Sequence, residues 1–304
     1  MVPASSFKAF RPGNIVRLFA PVFFALLCPY VQPVPPEELA VTHRARSLQP
    51  GEVVLLTVEC PQAIKDLKAT VFGKAFWFFP KPESNAWQGL IGIDGEVKAG
   101  RYPVEIRATG IDGQPRHAAH ILEIQGKQFP TRVLSVDEKY VTPPESVQER
   151  IKLESQRMDQ LFASHTPRRL WDGAFFVPVT GAATSGFGRR NILNGKPRSP
   201  HWGTDFTAEV GTPVLSPNSG TVVLASELYF SGNTIIIDHG LGLFSFLAHL
   251  SRISVNEGEQ VKTGQLLGRA GATGRVTGPH LHWTVRLAGA RVDPLSLIAA
   301  LAVE

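Results

Sequence analysis

Cysteine is almost absent: the 304 residues hold two, Cys28 and Cys60. That scarcity excludes a disulfide-stapled fold, and it excludes the cysteine-rich kind of structural zinc site that closes its shell with four protein ligands. Cys60 ends the run V-V-L-L-T-V-E-C with no base nearby and reads as a small buried residue rather than a nucleophile. Long apolar runs are missing too. The stretch L-F-A-P-V-F-F-A-L-L-C at 18–28 has eleven residues, short of the ~20 a membrane-spanning helix needs. No basic run is interleaved with stacking aromatics, which excludes the usual nucleic-acid surface, so no nucleic acid is expected as a partner. A phosphate loop is excluded as well. V-N-E-G-E-Q-V-K-T-G-Q-L-L-G at 255–268 lacks both a strand-to-helix setting and a terminal K-[ST], and reads as a turn-rich hairpin.

What is present favours β structure. Hydrophobic residues make up 43% of the chain, enough for sizeable cores, while 28 glycines and 24 prolines favour short strands and many turns. The length suggests two domains with connections. A formal charge of +5 suits an anionic polymer or lipid headgroups as partner. At the start, Lys8, Arg11 and Arg17 precede the apolar run, as in a signal peptide or uncleaved anchor. Membrane contact is expected only through that segment. Cys28 follows Leu27, where a lipoprotein box would need a small residue, so lipidation is not expected. A proline-rich stretch at 29–50 reads as an extended tether, and the leader with the first part of that tether is assigned to 1–35.

Residues 36–130 read as an immunoglobulin-like β-sandwich. Strand-like runs at 52–60, 68–79, 86–93, 100–109 and 117–125 are separated by turn signals such as Asp94-Gly95 and Asp112-Gly113. His117 and His120 lie here without a carboxylate at matching spacing, and the domain shows no chemistry. Residues 131–169 form a linker with one helix. Thr142 is its expected cap, Pro143 and Pro144 suit its first turn, and Val147, Ile151, Met158 and Leu161 give an apolar stripe broken by Glu154. A helical strut is the expectation.

The chemistry lies in 170–304. Five of the nine histidines fall between His201 and His282. H-W-G-T-D sets His201 four residues before Asp205, F-L-A-H-L carries His249, and G-P-H-L-H carries His280 and His282. Imidazole nitrogens with a carboxylate oxygen suit zinc, and two histidines beyond a three-ligand set are what proton transfer to and from water requires. The run H-L-H-W-T-V-R-L alternates strictly, placing Leu281, Trp283, Val285 and Leu287 toward a core and His280, His282, Thr284 and Arg286 on the opposite face. The same period puts Leu243, Ser245, Leu247 and His249 on one face of their strand. His239, ahead of Gly240, reads as a turn residue bonded to backbone. Glu209 and Glu227 are bases by residue type alone and read as solvated. Gly203 and Gly278 are expected to let backbone approach the site, and Gly220, Gly258 and Gly264 to supply turns.

H-x-x-x-D, a lone histidine before leucine, and G-P-H-L-H-W together resemble the lysostaphin/LytM-type zinc metallopeptidases, which cut peptide cross-links in bacterial peptidoglycan. The flanks agree: S-G-F-G-R-R at 185–190, G-T-P-V at 211–214, G-N-T-I-I-I-D-H-G at 232–240 and V-D-P-L at 292–295. The likeness covers roughly 170–298. It implies an antiparallel-β metallopeptidase domain with zinc held by His201, Asp205 and His282, and with His249 and His280 as the catalytic histidines. It also implies peptidoglycan stem peptides or cross-bridges as substrate, and export to the periplasm or cell envelope. One position departs: Leu247 stands where the family often has tyrosine, so that place offers no hydroxyl. Two other readings stand beside the enzyme. One is a non-catalytic LytM-like envelope protein that activates another wall hydrolase, against which all five side chains argue. The other is an adaptor working through its sandwich domain.

Overall fold

Seven antiparallel strands build the N-terminal half of a computed structural model that describes residues 1, 3–5, 39–164 and 166–302. They are β1 (Ala40–Ala45), β2 (Val53–Glu59), β3 (Ile64–Val71), β4 (Lys74–Pro80), β5 (Ala86–Gly92), β6 (Gly100–Gly110) and β7 (Pro115–Ile124). The expected leader at 8–28 lies outside the described residues, as does the tether through residue 38. The rest of the tether is not a tether, because residues 40–45 pair with β2 along their whole length. Strand order is β1-β2-β5-β4-β3-β6-β7. β4 passes the ladder from β5 to β3, so one hydrogen-bonded path curls around the core. At its ends His43 Nδ1 lies 2.8 Å from His120 Nε2. The immunoglobulin-like expectation is met in part: the half is all antiparallel β around an apolar interior, but it is one continuous path. The run expected at 68–79 is two strands, because Phe72 and Gly73 both take positive φ (53° and 69°) and make a two-residue hairpin turn.

The connection that follows is only partly helical. β8 (Thr131–Leu134) pairs in parallel with β10 (Arg190–Leu193), and β11 (Lys196–Pro197) completes a small sheet. Thr142 does not cap the helix; its hydroxyl donates to Glu138 Oε1 at 2.8 Å. A 3₁₀ turn at Glu145–Val147 leads instead into α1 (Gln148–Ala163), which has no side-chain cap. Nor is α1 a free strut. Met158, Leu161 and Phe162 pack on Leu224, Leu228, Ile236 and Phe244, on the outer side of the larger sheet. Glu154, the charge that interrupts the stripe, accepts the Tyr229 backbone N–H at 2.8 Å and so fastens helix to sheet.

The C-terminal half is a ten-stranded antiparallel sheet running β17-β14-β15-β16-β19-β12-β9, with β13, β18 and β20 attached at its sides. Its strands are β9 (Ala183–Ser185), β12 (Thr204–Thr207), β13 (Pro213–Leu215), β14 (Gly220–Leu228), β15 (Gly232–Gly240), β16 (Leu243–Ile253), β17 (Gln260–Val261), β18 (Leu266–Ala270), β19 (His280–Leu287) and β20 (Ala290–Val292). The 255–268 stretch is not a hairpin: β17 pairs with β14, whereas β18 pairs with β13 and β16. The alternation along β19 is as expected, with Leu281, Trp283, Val285 and Leu287 all buried. Each such burial is worth about 1.5–3 kcal/mol. A one-residue slip would lose all four and turn both histidines inward, so apolar packing fixes where the imidazoles point. His239 is no turn residue. It sits in β15, fully buried, with Nδ1 donating to Ser219 O at 2.8 Å and Nε2 2.9 Å from Ser245 Oγ. Cys60 is buried and unpaired, as expected. Among the described residues no helix is long and apolar enough to cross a membrane.

One apolar core runs through both sheets, and a buried polar network ties them together. The sequence gives little sign of the final helix α2 (Pro294–Leu301) beyond Asp293-Pro294, a capping side chain followed by proline in the first turn. Asp293 also accepts from Arg46 (2.6 Å) and from Thr204 (3.2 Å), the residue next to Asp205. Arg46 bonds Glu52 through two nitrogens at 3.0 and 2.8 Å, and Ser296 Oγ donates to Glu52 at 2.8 Å. Burial alone would raise the Glu52 carboxyl, but the bonds from Arg46 and Ser296 outweigh it and hold it below its ordinary value. Replacing Arg46 with Met should cost about 2 kcal/mol of stability at neutral pH, less than a fully buried pair because Arg46 is partly exposed. A depressed carboxylate stabilises above its unfolded pKa, roughly 4.3, and ceases to do so as pH falls through the folded value. The wild-type advantage in chemical denaturation should therefore shrink below about pH 4.

Candidate metal centre and active-site cleft

Asp205 and His282 stand directly opposite one another on neighbouring strands β12 and β19, so their side chains leave the sheet on the same side. His201 lies just before β12, held by a backbone bridge to Arg189. Its Nε2 is 2.9 Å from Asp205 Oδ1 and 2.9 Å from His282 Nδ1, and His282 Nδ1 is 2.9 Å from the same carboxylate oxygen. These three side chains form the one group of metal-competent residues found among the described residues.

The surroundings of the triangle decide whether a cation fits. Gly186 O, 3.4 Å from His201 Nδ1, can only accept, which places the ring proton there and leaves Nε2 a bare lone pair. Thr284 Oγ1, 2.8 Å from His282 Nε2, can accept that ring's proton and leave Nδ1 bare. Burial holds His282 below its ordinary pKa, favouring the neutral ring. Burial alone would raise Asp205, but proton-bearing His201 and His282 rings more than offset it and hold the carboxyl well below the carboxylate range, as a cation in their place would. Two lone pairs and a carboxylate oxygen at mutual contact distance repel unless a cation lies among them, so the donor set fits a metal ion with N and O ligands.

His249 and His280 open onto the same cleft. Their rings lie 4.9 Å apart, and His249 is 5.9 Å from the His282 ring. Strict alternation would have sent His249 into the core beside Ser245 and Leu247. At His249 the backbone instead turns left-handed (φ 65°), which swings the ring to the cleft side that Phe246 occupies. Such a conformation is unfavourable for a residue with a side chain and typical of functional sites. The turn is held by His249 N–H donating to Ser231 O at 2.9 Å and Nδ1–H donating to Thr273 O at 2.8 Å. Burial, and then the neighbouring His282 and His280, push His249 down to about 3. His280 likewise donates Nδ1–H to Gly278 O at 2.8 Å, and its Nε2 lies 3.7 Å from Asp205 Oδ1. Both rings, when neutral, thus present a bare Nε2.

The other sequence expectations divide. Gly203 is needed as expected, since a Cβ there would lie 2.5 Å from His282 Cε1 and 2.6 Å from Thr284 Oγ1. Gly203→Ala should push the His282 ring aside and weaken metal binding at least tenfold while the fold persists, as competitive chelation would read. Gly278 has open space and serves through its carbonyl; Gly220 is a packing glycine rather than a turn. Glu209 and Glu227 are exposed and do not line the cleft. Sequence reasoning missed Thr284, although its place two residues beyond His282 on the same face was a usable signal. It also missed Thr273, Arg198, Arg275 and the β8–β10 wall, which no local pattern marks.

A profile of Peptidase family M23 matches residues 199–294, the stretch holding all five side chains. Peptidoglycan DD-endopeptidase ShyA of Vibrio cholerae is 42% identical over 97 residues, 32% of this chain and 23% of that protein. The DD-carboxypeptidase/endopeptidase Mpg of Neisseria meningitidis is 40% identical over 97 residues, 32% of this chain and 22% of its own length. This chain thus matches less than a quarter of the length of these curated relatives. A crystal structure from Pseudomonas aeruginosa, described as peptidase M23, superposes with a TM-score of 0.66 at 30% identity. That match covers 84% of this chain and 97% of the other, reaching well beyond 199–294.

Proposed function

Because this chain belongs to peptidase family M23, we propose that it is a zinc-dependent endopeptidase acting on the peptide cross-links of bacterial peptidoglycan. The observation that carries the reading is the triangle of bare donor atoms with two further Nε2 lone pairs in the same cleft. His201 Nε2, Asp205 Oδ1 and His282 Nδ1 would hold the ion, whose Lewis acidity toward water and the scissile carbonyl is the chemistry it supplies. His249 is kept neutral by burial and tied through Nδ1 to Thr273 O, so its Nε2 is ready to accept the proton of the attacking water. The same ring, once protonated, can pass that proton to the leaving amine. His280, fixed through Nδ1 to Gly278 O, becomes a donor toward the developing oxyanion once its Nε2 carries a proton. Thr284 and Gly186 O orient the ligand rings.

An envelope location belongs to the same proposal, with residues 8–28 as leader or anchor; fractionation of expressing cells is its direct check. The non-catalytic alternative is not favoured, since an activator needs neither the bare donor triangle nor two oriented bases beside it. Metal analysis of the purified full-length chain tests the site. One equivalent of zinc per chain is expected, and a folded, active, metal-free protein would sink the assignment.

A further inference from the structure

The cleft carries an imbalance of charge that the proton chemistry leaves unused. Arg132, Arg198 and Arg275 line it, against a single carboxylate, Asp205, which is already committed to the donor triangle. Arg275 is half-buried with its guanidinium 4.8 Å over the Phe230 ring, and its backbone N–H donates to Phe230 O at 2.7 Å. Its side chain has neither ion pair nor hydrogen bond among the described residues. Arg198, also half-buried, gives one guanidinium N–H to Val141 O and has no carboxylate partner among the described residues. Burial first, and then the charge of Arg198, lower the Arg275 guanidinium, so the two cations feel each other. Elsewhere half-buried Arg291 pairs with Asp94 and Glu96, and the more exposed Arg46 with Glu52 and Asp293, whereas Arg286, half-buried over the Phe162 ring, has no ion pair among the described residues. Two neighbouring, partly desolvated guanidinium groups facing an open cleft are unfavourable unless an anion joins them.

We propose that Arg198 and Arg275 form a carboxylate-binding subsite that selects cross-link peptides bearing a free carboxylate beside the scissile bond over uncharged glycine bridges. The inference rests on the endopeptidase reading of this cleft. The Arg275 guanidinium lies over the Phe230 ring and spends none of its N–H groups on a hydrogen bond among the described residues, so they can fork onto a carboxylate. Arg198, in the segment after β11, lines the same cleft and supplies a second cation. A glycine bridge offers no side-chain carboxylate to either.

The test uses the zinc-loaded full-length protein and three peptides of one sequence: with free carboxylates, with the terminal carboxylate amidated, and with the side-chain carboxylate amidated. Both kcat/KM and equilibrium binding are measured. The free peptide should be preferred by about 10–100-fold over one of the two amides, the range of a charge-assisted hydrogen bond, and which amide fails says which carboxylate is read. Arg275→Gln and, separately, Arg198→Gln should collapse that ratio toward one with zinc content retained, and Arg275→Lys should restore part of it. Wild-type protein that treats all three peptides alike overturns the inference and leaves the endopeptidase reading standing. A preference that survives in both Gln variants overturns the assignment to these arginines. Selective binding with no cleavage of any peptide supports the subsite and counts against the endopeptidase reading.

Discussion

Asp205→Ala should arrive without metal and cleave cross-links at no more than background. The carboxylate is the single charged member of the donor triangle, and both imidazole nitrogens lie 2.9 Å from its Oδ1. Removing it leaves two neutral lone pairs that repel each other and too few ligands to hold an ion. Loss of a partner one step further out typically costs 10–100-fold in affinity, so loss of this oxygen should cost more. Without the several kcal/mol that Lewis-acid catalysis supplies, cleavage should fall by roughly 10³-fold or more. Metal analysis and muropeptide release on the same preparation decide it. An Asp205→Ala protein holding one equivalent of zinc would show that the ion sits elsewhere.

His249→Ala should behave differently, keeping its metal and losing its turnover. No atom of His249 belongs to the triangle, and its ring is fixed by Thr273 O rather than by a ligand. Turnover should drop by about 10²–10⁴-fold, the usual contribution of a positioned acid–base group, with zinc near one equivalent. His280→Ala should follow the same pattern with some loss of metal, because its Nε2 lies 3.7 Å from Asp205 Oδ1 and its strand neighbour is His282. A His249→Ala protein that arrives metal-free, or that cleaves at the wild-type rate, removes the role assigned to this ring.

Much of this site was legible because β structure repeats every two residues. In H-L-H-W-T-V-R-L the apolar positions fix which way both histidines point, and burial of Leu281, Trp283, Val285 and Leu287 enforces it. His249 was legible as a site residue but not in its orientation. Its left-handed backbone breaks the period, and the bonds that hold it come from Ser231 and Thr273, distant in sequence. Asp205 was recognised from its spacing to His201, while β12 itself is only four residues and leaves too short a pattern to read. Short strands failed generally: β8, β9, β10 and β20 carry little alternation of their own and exist because a longer neighbour or a small sheet recruits them. The seam between the halves was invisible for a related reason. Arg46, Glu52, Asp293 and Ser296 are ordinary polar residues until the chain brings positions about 240 apart together. The helix at 148–163 was found, but the face it covers depends on Phe244 and Ile236, about eighty residues downstream of the side chains that meet them.

Digestion of purified sacculi by the full-length protein, followed by mass spectrometry of the released muropeptides, most directly tests whether this cleft is a metal-dependent cross-link hydrolase. With one equivalent of zinc bound, cross-linked dimers should be converted to monomers, chelation should stop the conversion, and added zinc should restore it. Dimers left intact by folded, zinc-loaded protein would contradict it.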